Sequence, residues 1–240
     1  MSNPSPLVHL KDLGSIDYQT AWDYQTEVHQ KIKECKLSAI RAKKLYIADH
    51  TILFCEHNPV YTLGKSAKIE HLLATEAELE EKGVQSFKIN RGGDITYHGP
   101  GQLTVYPIFD LDFFFHDVHK YVRFLEEVVI RVLAKFDLKG ERIEGYTGVW
   151  LDDEKGQRKV CAIGVHLSRW VTMHGLALNV NTELAYFNQI IPCGIQDDNK
   201  SVTSISKELN RKIDMLNVKK YVAEYFKEIF TIEYSNKKKS

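Results

Sequence analysis

Three short apolar segments follow one another late in the chain, GYTGVWLDD (145–153), KVCAIGVHLS (159–168) and HGLALNVN (174–181), and turn residues such as DDEKGQ separate them. Apolar runs this short, bounded by turn signals, read as strands, and three in succession predict neighbouring strands of one sheet. Earlier segments extend that sheet. HTILFCEH (50–57) has the apolar character of a buried strand, Asn58-Pro59 turns the chain into the extended stretch VYTLG (60–64), and VQSFKIN (84–90) alternates in the manner of a strand. QLTVYPIFDL (102–111) is a further strand, in which Pro107 lacks an N–H and predicts an edge or a bulge.

Helical periods surround these strands. Tyr18, Ala21, Trp22, Tyr24, Val28 and Ile32 keep close to a 3.6-residue repeat, and Ser15 is the expected N-cap. Thr75 followed by Glu78 forms a capping box for a short acidic helix that stops at Gly83. Asp117 caps a longer helix whose one face carries Val118, Tyr121, Val122, Leu125, Val128, Val129, Val132, Leu133 and Phe136. Val218, Tyr221, Val222, Phe226 and Ile229 define another helix near the C-terminus. No repeat, low-complexity tract or linker divides the chain. The expected fold is α+β, a mixed β-sheet flanked by helices in a single domain over 1–240, with the C-terminal part as a smaller packed lobe.

Composition removes several function classes. The 240 residues carry 32 Lys+Arg against 32 Asp+Glu, so no basic stripe announces a nucleic-acid partner. Hydrophobic residues make up 43% of the chain, enough for a sizeable core, yet no apolar run approaches the roughly 18 residues that span a bilayer. The N-terminal stretch meets Lys11 and Asp12 before any signal-like region develops, so no membrane association and a cytoplasmic location are expected. Four cysteines, Cys35, Cys55, Cys161 and Cys193, are too sparse for a disulfide framework.

Chemistry concentrates in three places. RGGDITYHGPG (91–101) gathers glycines that let a backbone approach a ligand closely. Cys193 sits between Pro192 and Gly194, a setting that presents a side chain from a constrained loop. A free thiol ionises near pH 8.5, so a nucleophilic cysteine needs a neighbouring cation, which Lys159 in QRKVCAIG is able to supply. A zinc site from Cys161, His166, His174 and Cys193 lacks the paired ligand spacing of structural zinc, and no metal or cofactor is expected.

RGGDITYHGPGQLTVYP, KVCAIGVH, HGLALNVN and IPCGI, in this order, closely resemble the signature blocks of the lipoyl(octanoyl) transferases. The resemblance runs from HNPVYTLGK (57–65) through IPCGIQDDNKSVTSISKEL (191–209). It implies a fold like the catalytic domain of the biotin and lipoate protein ligases. It also implies an acyltransferase that moves an octanoyl group from octanoyl-acyl carrier protein to a lysine of lipoyl domains, those of the 2-oxoacid dehydrogenases and the glycine cleavage H protein. Carried over by position, Cys193 matches the acyl-thioester nucleophile, and Lys159 matches the lysine that lowers its pKa and handles protons. Arg91, Gly92, Gly93, Asp94, Ile95, Thr96, Tyr97 and His98 match the first substrate-binding stretch, lining the acyl group and its carbonyl. Ala162, Ile163 and Gly164 match the second, and Gly175, Leu176 and Ala177 the third. Cys161 is read as structural. Asp94 departs from the neutral side chain that related sequences often carry.

Two other functions fit parts of the sequence. An ATP-dependent lipoate or biotin ligase of similar fold would activate a free acid without a covalent cysteine, and Cys193→Ser separates it from a thioester mechanism. A non-catalytic module that binds carrier proteins or lipoyl domains would use the glycine loop as a docking surface alone.

Overall fold

The structure, a computed structural model, describes residues 5–191 and 200–235. β1 (Leu7–Ile16) leads into α1 (Tyr18–Ala42), and β2 (His50–His57) and β3 (Val60–Leu63) follow. Next come α2 (Glu76–Glu81), β4 (Gln85–Lys88), β5 (Ile95–His98), β6 (Gln102–Ile108) and α3 (Val118–Ala134). Strands β7 (Gly140–Ile143), β8 (Tyr146–Asp153), β9 (Gly156–Ser168) and β10 (Val171–Asn179) precede β11 (Lys200–Val202), α4 (Ile205–Leu209), α5 (Met215–Phe230) and β12 (Glu233–Tyr234).

Among the described residues the large sheet runs β12-β1-β2-β6-β10-β9-β8-β7, with β11 alongside the start of β9. It is mixed: β1 lies parallel to β2 and β12, and β11 parallel to β9, while the other neighbours are antiparallel. A small sheet, β4-β3-β5, stands apart from it.

Period-2 alternation along the central strands sets the layers. Ile52 and Phe54 of β2, with Leu103 and Val105 of β6, join the core formed by Leu125, Val128, Val129 and Val132 of α3 and Val218, Val222 and Phe226 of α5. Leu53, Cys55, Tyr106 and Ile108 point the other way and pack on Ile32 of α1. Each fully buried side chain of this size contributes about 1.5–3 kcal/mol, so both faces need their helices. Because α5 belongs to the same cluster as α3, the C-terminal region shares the main core and forms no smaller lobe.

Two local expectations change. α1 is capped by Asp17, whose side chain accepts from the Thr20 N–H, because Ser15 is occupied in β1, opposite Glu56 of β2. β6 is a central strand flanked by β2 and β10, and Pro107 is accommodated at a gap in the ladder. β6–β10 pairing ends at Val105–Leu176, and contact resumes where the Thr172 N–H donates to the Phe109 carbonyl, 2.8 Å. Within the gap His174 adopts φ 60°. Its freed N–H donates to the Gln25 side chain of α1, 3.1 Å, so the buried stripe of that helix carries polar groups among the apolar ones.

Candidate active site

A cavity holding about 500 Å³ of empty space, its mouth included, lies between the central strands of the large sheet and β5 of the small one. The three stretches singled out in the sequence meet there. Ala162, Ile163 and Gly164 come from β9 and Gly175, Leu176 and Ala177 from β10, which is antiparallel to it with Ala162 opposite Ala177 and Gly164 opposite Gly175. Arg91, Gly93, Thr96 and His98 close the other side.

Strand geometry divides the first stretch. On β5, Thr96 and His98 face the cavity, whereas Ile95 and Tyr97 point to the opposite face and enter a separate core with Tyr61, Leu79 and Phe187. Tyr97 stacks on Tyr186 there at 4.7 Å between ring centroids. Placing every residue from 91 to 98 around the acyl group is therefore corrected for Ile95 and Tyr97. Gly92 and Asp94 line a second cleft on the far side of the loop.

The glycine loop is held by backbone bonds. The Gly92 N–H donates to the Val165 carbonyl of β9, 2.9 Å, and the N–H groups of Gly64, Lys65 and Ser66 donate to the carbonyls of Asp94, Arg91 and Gly93. Gly164 makes the close approach possible: a Cβ there would stand 2.9 Å from the Gly92 oxygen. Arg91 is buried, and its guanidinium donates to the Thr62 carbonyl at 2.6 Å and to the Gly92 carbonyl at 3.1 Å. The departing residue Asp94 has a defined place. One carboxylate oxygen accepts from the Ile95 N–H, 2.8 Å, and the other bonds His71 Nδ1.

Neutral rings form much of the polar wall. His98 bonds the Gln102 side chain at 2.8 Å, and burial lowers its pKa to about 3. His174 bonds the Asn90 side chain at 2.8 Å and is lowered to about 3 by burial. Both are hydrogen-bonded and both line the cavity. Cys161 is fully buried in the main core, where desolvation pushes its thiol upward. Among the described residues no group of three His, Cys, Asp or Glu side chains is arranged to hold a metal ion.

Lys159 reaches its place through a β-bulge. Val149 pairs with Cys161 but Trp150 with Lys159, leaving Val160 as the extra residue of β9. The buried Lys159 ammonium stands over the Trp150 ring, 4.6 Å from its centroid. Its Cε lies 3.6 Å from the position a Cβ would take at Gly148, whose φ is 116°. The Gly148 N–H donates to Oε1 of the fully buried Glu126, 3.1 Å, and Arg142 and Arg123 pair with the same carboxylate. Lys159 does not line the cavity itself; Val160 and Cys161 separate it from Ala162, three steps of about 3.3 Å along the strand.

Cys193 lies outside the described residues. On one side of it, the Ile191 N–H donates to the carbonyl of His71, 2.8 Å, the residue that Asp94 holds. On the other, β11 pairs Lys200 with Gln157 and Val202 with Lys159, and the Thr203 N–H donates to the Lys159 carbonyl, 2.9 Å.

A family model described as the lipoyl protein ligase A/B catalytic domain matches residues 17–227. The chain belongs to this family. An octanoyltransferase of Cytophaga hutchinsonii is 50% identical over 238 residues, which cover 98% of this chain and 97% of the relative. One from Parabacteroides distasonis is 50% identical over 221 residues, 91% of this chain and 96% of its own length. Among solved structures, a bi-partite lipoate protein ligase from Thermoplasma acidophilum superposes with a TM-score of 0.70 at 15% identity, covering 97% of this chain and 87% of that one. A lipoate-protein ligase A bound with ATP gives 0.67 at 13% identity, covering 97% and 88%. At such identities the likeness is one of fold, and it agrees with the expected mixed sheet flanked by helices.

Within the lipoyl protein ligase A/B framework, the site also takes in residues that no sequence motif marks. Tyr18 and Tyr106 line the cavity, a role that their places in a helix stripe and a strand do not reveal. His71 and Trp150 acquire their places from contacts with Asp94 and Lys159, separations of 23 and 9 residues that no local pattern encodes.

Proposed function

We propose that this chain is a single-domain acyltransferase that moves an octanoyl group from an acyl carrier thioester to a lysine of a lipoyl domain through a thioester on Cys193. The observation that carries this reading is the cavity where the Arg91–His98, Ala162–Gly164 and Gly175–Ala177 stretches meet, in a chain 50% identical to octanoyltransferases along nearly its whole length.

The Cys193 thiolate attacks the donor carbonyl, a tetrahedral oxyanion forms and collapses, and the carrier thiol leaves, so one thioester replaces another. The Lys159 ammonium supplies the positive charge that favours the thiolate and gives a proton to the departing carrier thiolate; as the neutral amine it then accepts a proton when the acceptor lysine attacks the acyl-enzyme. An amide forms from a thioester, which is downhill, so the second step needs no ATP. Leu176 and Ile163 offer apolar surface for the chain, and each buried methylene contributes about 0.8 kcal/mol. The lipoyl domains of 2-oxoacid dehydrogenases and of the glycine cleavage H protein are the proposed acceptors, and octanoyl-acyl carrier protein is the donor.

Intact-mass spectrometry tests the reading. Mixed with octanoyl-acyl carrier protein, the wild-type chain should gain one octanoyl group, lose it on addition of a lipoyl domain without ATP, and gain none as Cys193→Ser. Transfer that persists in Cys193→Ser and requires ATP would instead establish an adenylating ligase.

A further inference from the structure

We propose that Asn179 is a positioning residue for the transfer: its side-chain amide bonds both to Gln102, which holds His98 in the cavity wall, and to Thr203, which holds the main chain of Lys159. This inference rests on the octanoyl-transfer reading and deepens it.

At the Lys159 end, pairing between β9 and β10 stops at Cys161 and Leu178, before the lysine is reached, so that ladder does not hold it. β11 takes over there. Val202 stands opposite Lys159, and the Thr203 N–H donates to the Lys159 carbonyl, 2.9 Å. Thr203 is fully buried and bonded at its other polar groups as well. Its carbonyl accepts from Asn179 Nδ2, 2.9 Å, and its hydroxyl donates to Glu208, whose carboxylate pairs with Arg158, the residue before Lys159. Three bonds in different directions give this piece of backbone one position. Without the Asn179 donor, the buried Thr203 carbonyl is no longer drawn towards β10, and the segment that holds Lys159 is free to shift.

The same amide fixes the cavity end. Asn179 faces Gln102 across β10 and β6, and its Oδ1 accepts from Gln102 Nε2, 2.9 Å. That nitrogen also donates to the Tyr97 carbonyl, 3.1 Å, so Gln102 turns its oxygen towards His98. The neutral His98 ring therefore donates from Nδ1–H and keeps Nε2 unprotonated. His98, Gln102, Asn179, Thr203 and Lys159 are all buried, and solvent does not replace a bond lost from the chain they form. Asn179 does not line the cavity. It acts on the lysine through Thr203 and on the histidine through Gln102.

Asn179→Asp separates the two ends, because a carboxylate keeps the acceptor for Gln102 and loses the donor to Thr203. Single-turnover acylation of the full chain by octanoyl-acyl carrier protein is followed by intact mass over a range of donor concentrations. The maximal rate should fall by about tenfold or more, while the half-saturating donor concentration stays within about twofold of the wild type. Asn179→Ala introduces no buried charge and decides alone if the carboxylate prevents folding, which thermal unfolding reports. It should lose a similar factor in rate and also raise the half-saturating concentration, because His98 loses its support. A wild-type rate in folded Asn179→Ala, or a change confined to half-saturation, overturns the assignment and leaves octanoyl transfer standing. No adduct on the wild-type chain removes the octanoyl-transfer reading itself, and this inference with it.

Discussion

The Lys159 ammonium lies over the face of the Trp150 indole, and the bulge at Val160 is what sets the two side chains opposite each other. A buried cation over a tryptophan face gains about 1–2 kcal/mol from the ring quadrupole. Among the described residues the indole Nε1–H has no acceptor, so the fully buried ring serves through its face. In the proposed reaction this interaction holds the positive charge that the Cys193 thiolate requires.

Replacing Trp150 by leucine should therefore slow thioester formation by about 5- to 30-fold, the rate equivalent of that interaction, with little change in donor KM. Trp150→Phe keeps an aromatic face and should recover much of the rate. Single-turnover acylation monitored by mass checks both, with thermal unfolding run alongside because the ring is buried. Equal losses in the two variants would show that the cation does not depend on the ring.

The seam between the glycine loop and β9 tolerates no side chain at Gly164, where a Cβ would approach the Gly92 oxygen to 2.9 Å and Arg91 Cδ to 3.0 Å. Gly164→Ala should push the loop off the Val165 carbonyl, lower stability by about 1–3 kcal/mol and reduce acylation by about tenfold or more. Denaturant unfolding and the acylation rate measure the two effects. A variant as active as the wild type would mean that the loop moves freely away from β9.

Ala177 offers a handle on chain length. It is buried on β10 and faces the cavity, so leucine there adds three carbons to the space an acyl tail occupies. At about 0.8 kcal/mol per methylene excluded, Ala177→Leu should move the preference from octanoyl towards hexanoyl by about tenfold. Competition between the two thioesters, with products separated by mass, reads the ratio. An unchanged ratio would place the tail elsewhere than beside β10.

Much of this was legible in the sequence, and what was not has physical causes. α3 carries the Asp117 cap and the apolar face its period predicts, and the capping box of Thr75 and Glu78 is present in both directions. β1 escaped because its residues are mostly exposed or half-buried, giving LVHLKDLGSI no clean alternation. Ser15 and Asp17 are both capping residue types, and only the pairing of β1 with β2 decides between them. In the site, the glycine loop announces itself by composition, and the β9 and β10 stretches stand out only through the family resemblance. Tyr18, Tyr106 and His71 do not, because each joins the site through contacts far apart along the chain.

The buried histidines make the molecule sensitive to acid. Burial lowers the pKa of His57 to about 4 and those of His98 and His174 to about 3, below the roughly 6.5 they regain on unfolding. Between those limits the unfolded chain binds protons that the native chain refuses. The contribution of these rings to stability is therefore complete above about pH 6.5 and is lost as pH falls from there towards 3. Near pH 5 each ring adds about 1.4 kcal/mol per pH unit to the slope. Denaturant unfolding at intervals between pH 7 and 4 should follow this fall, and His98→Gln should make the slope shallower by one proton. Parallel slopes for the variant and the wild type would mean that His98 already carries a proton in the native cavity wall.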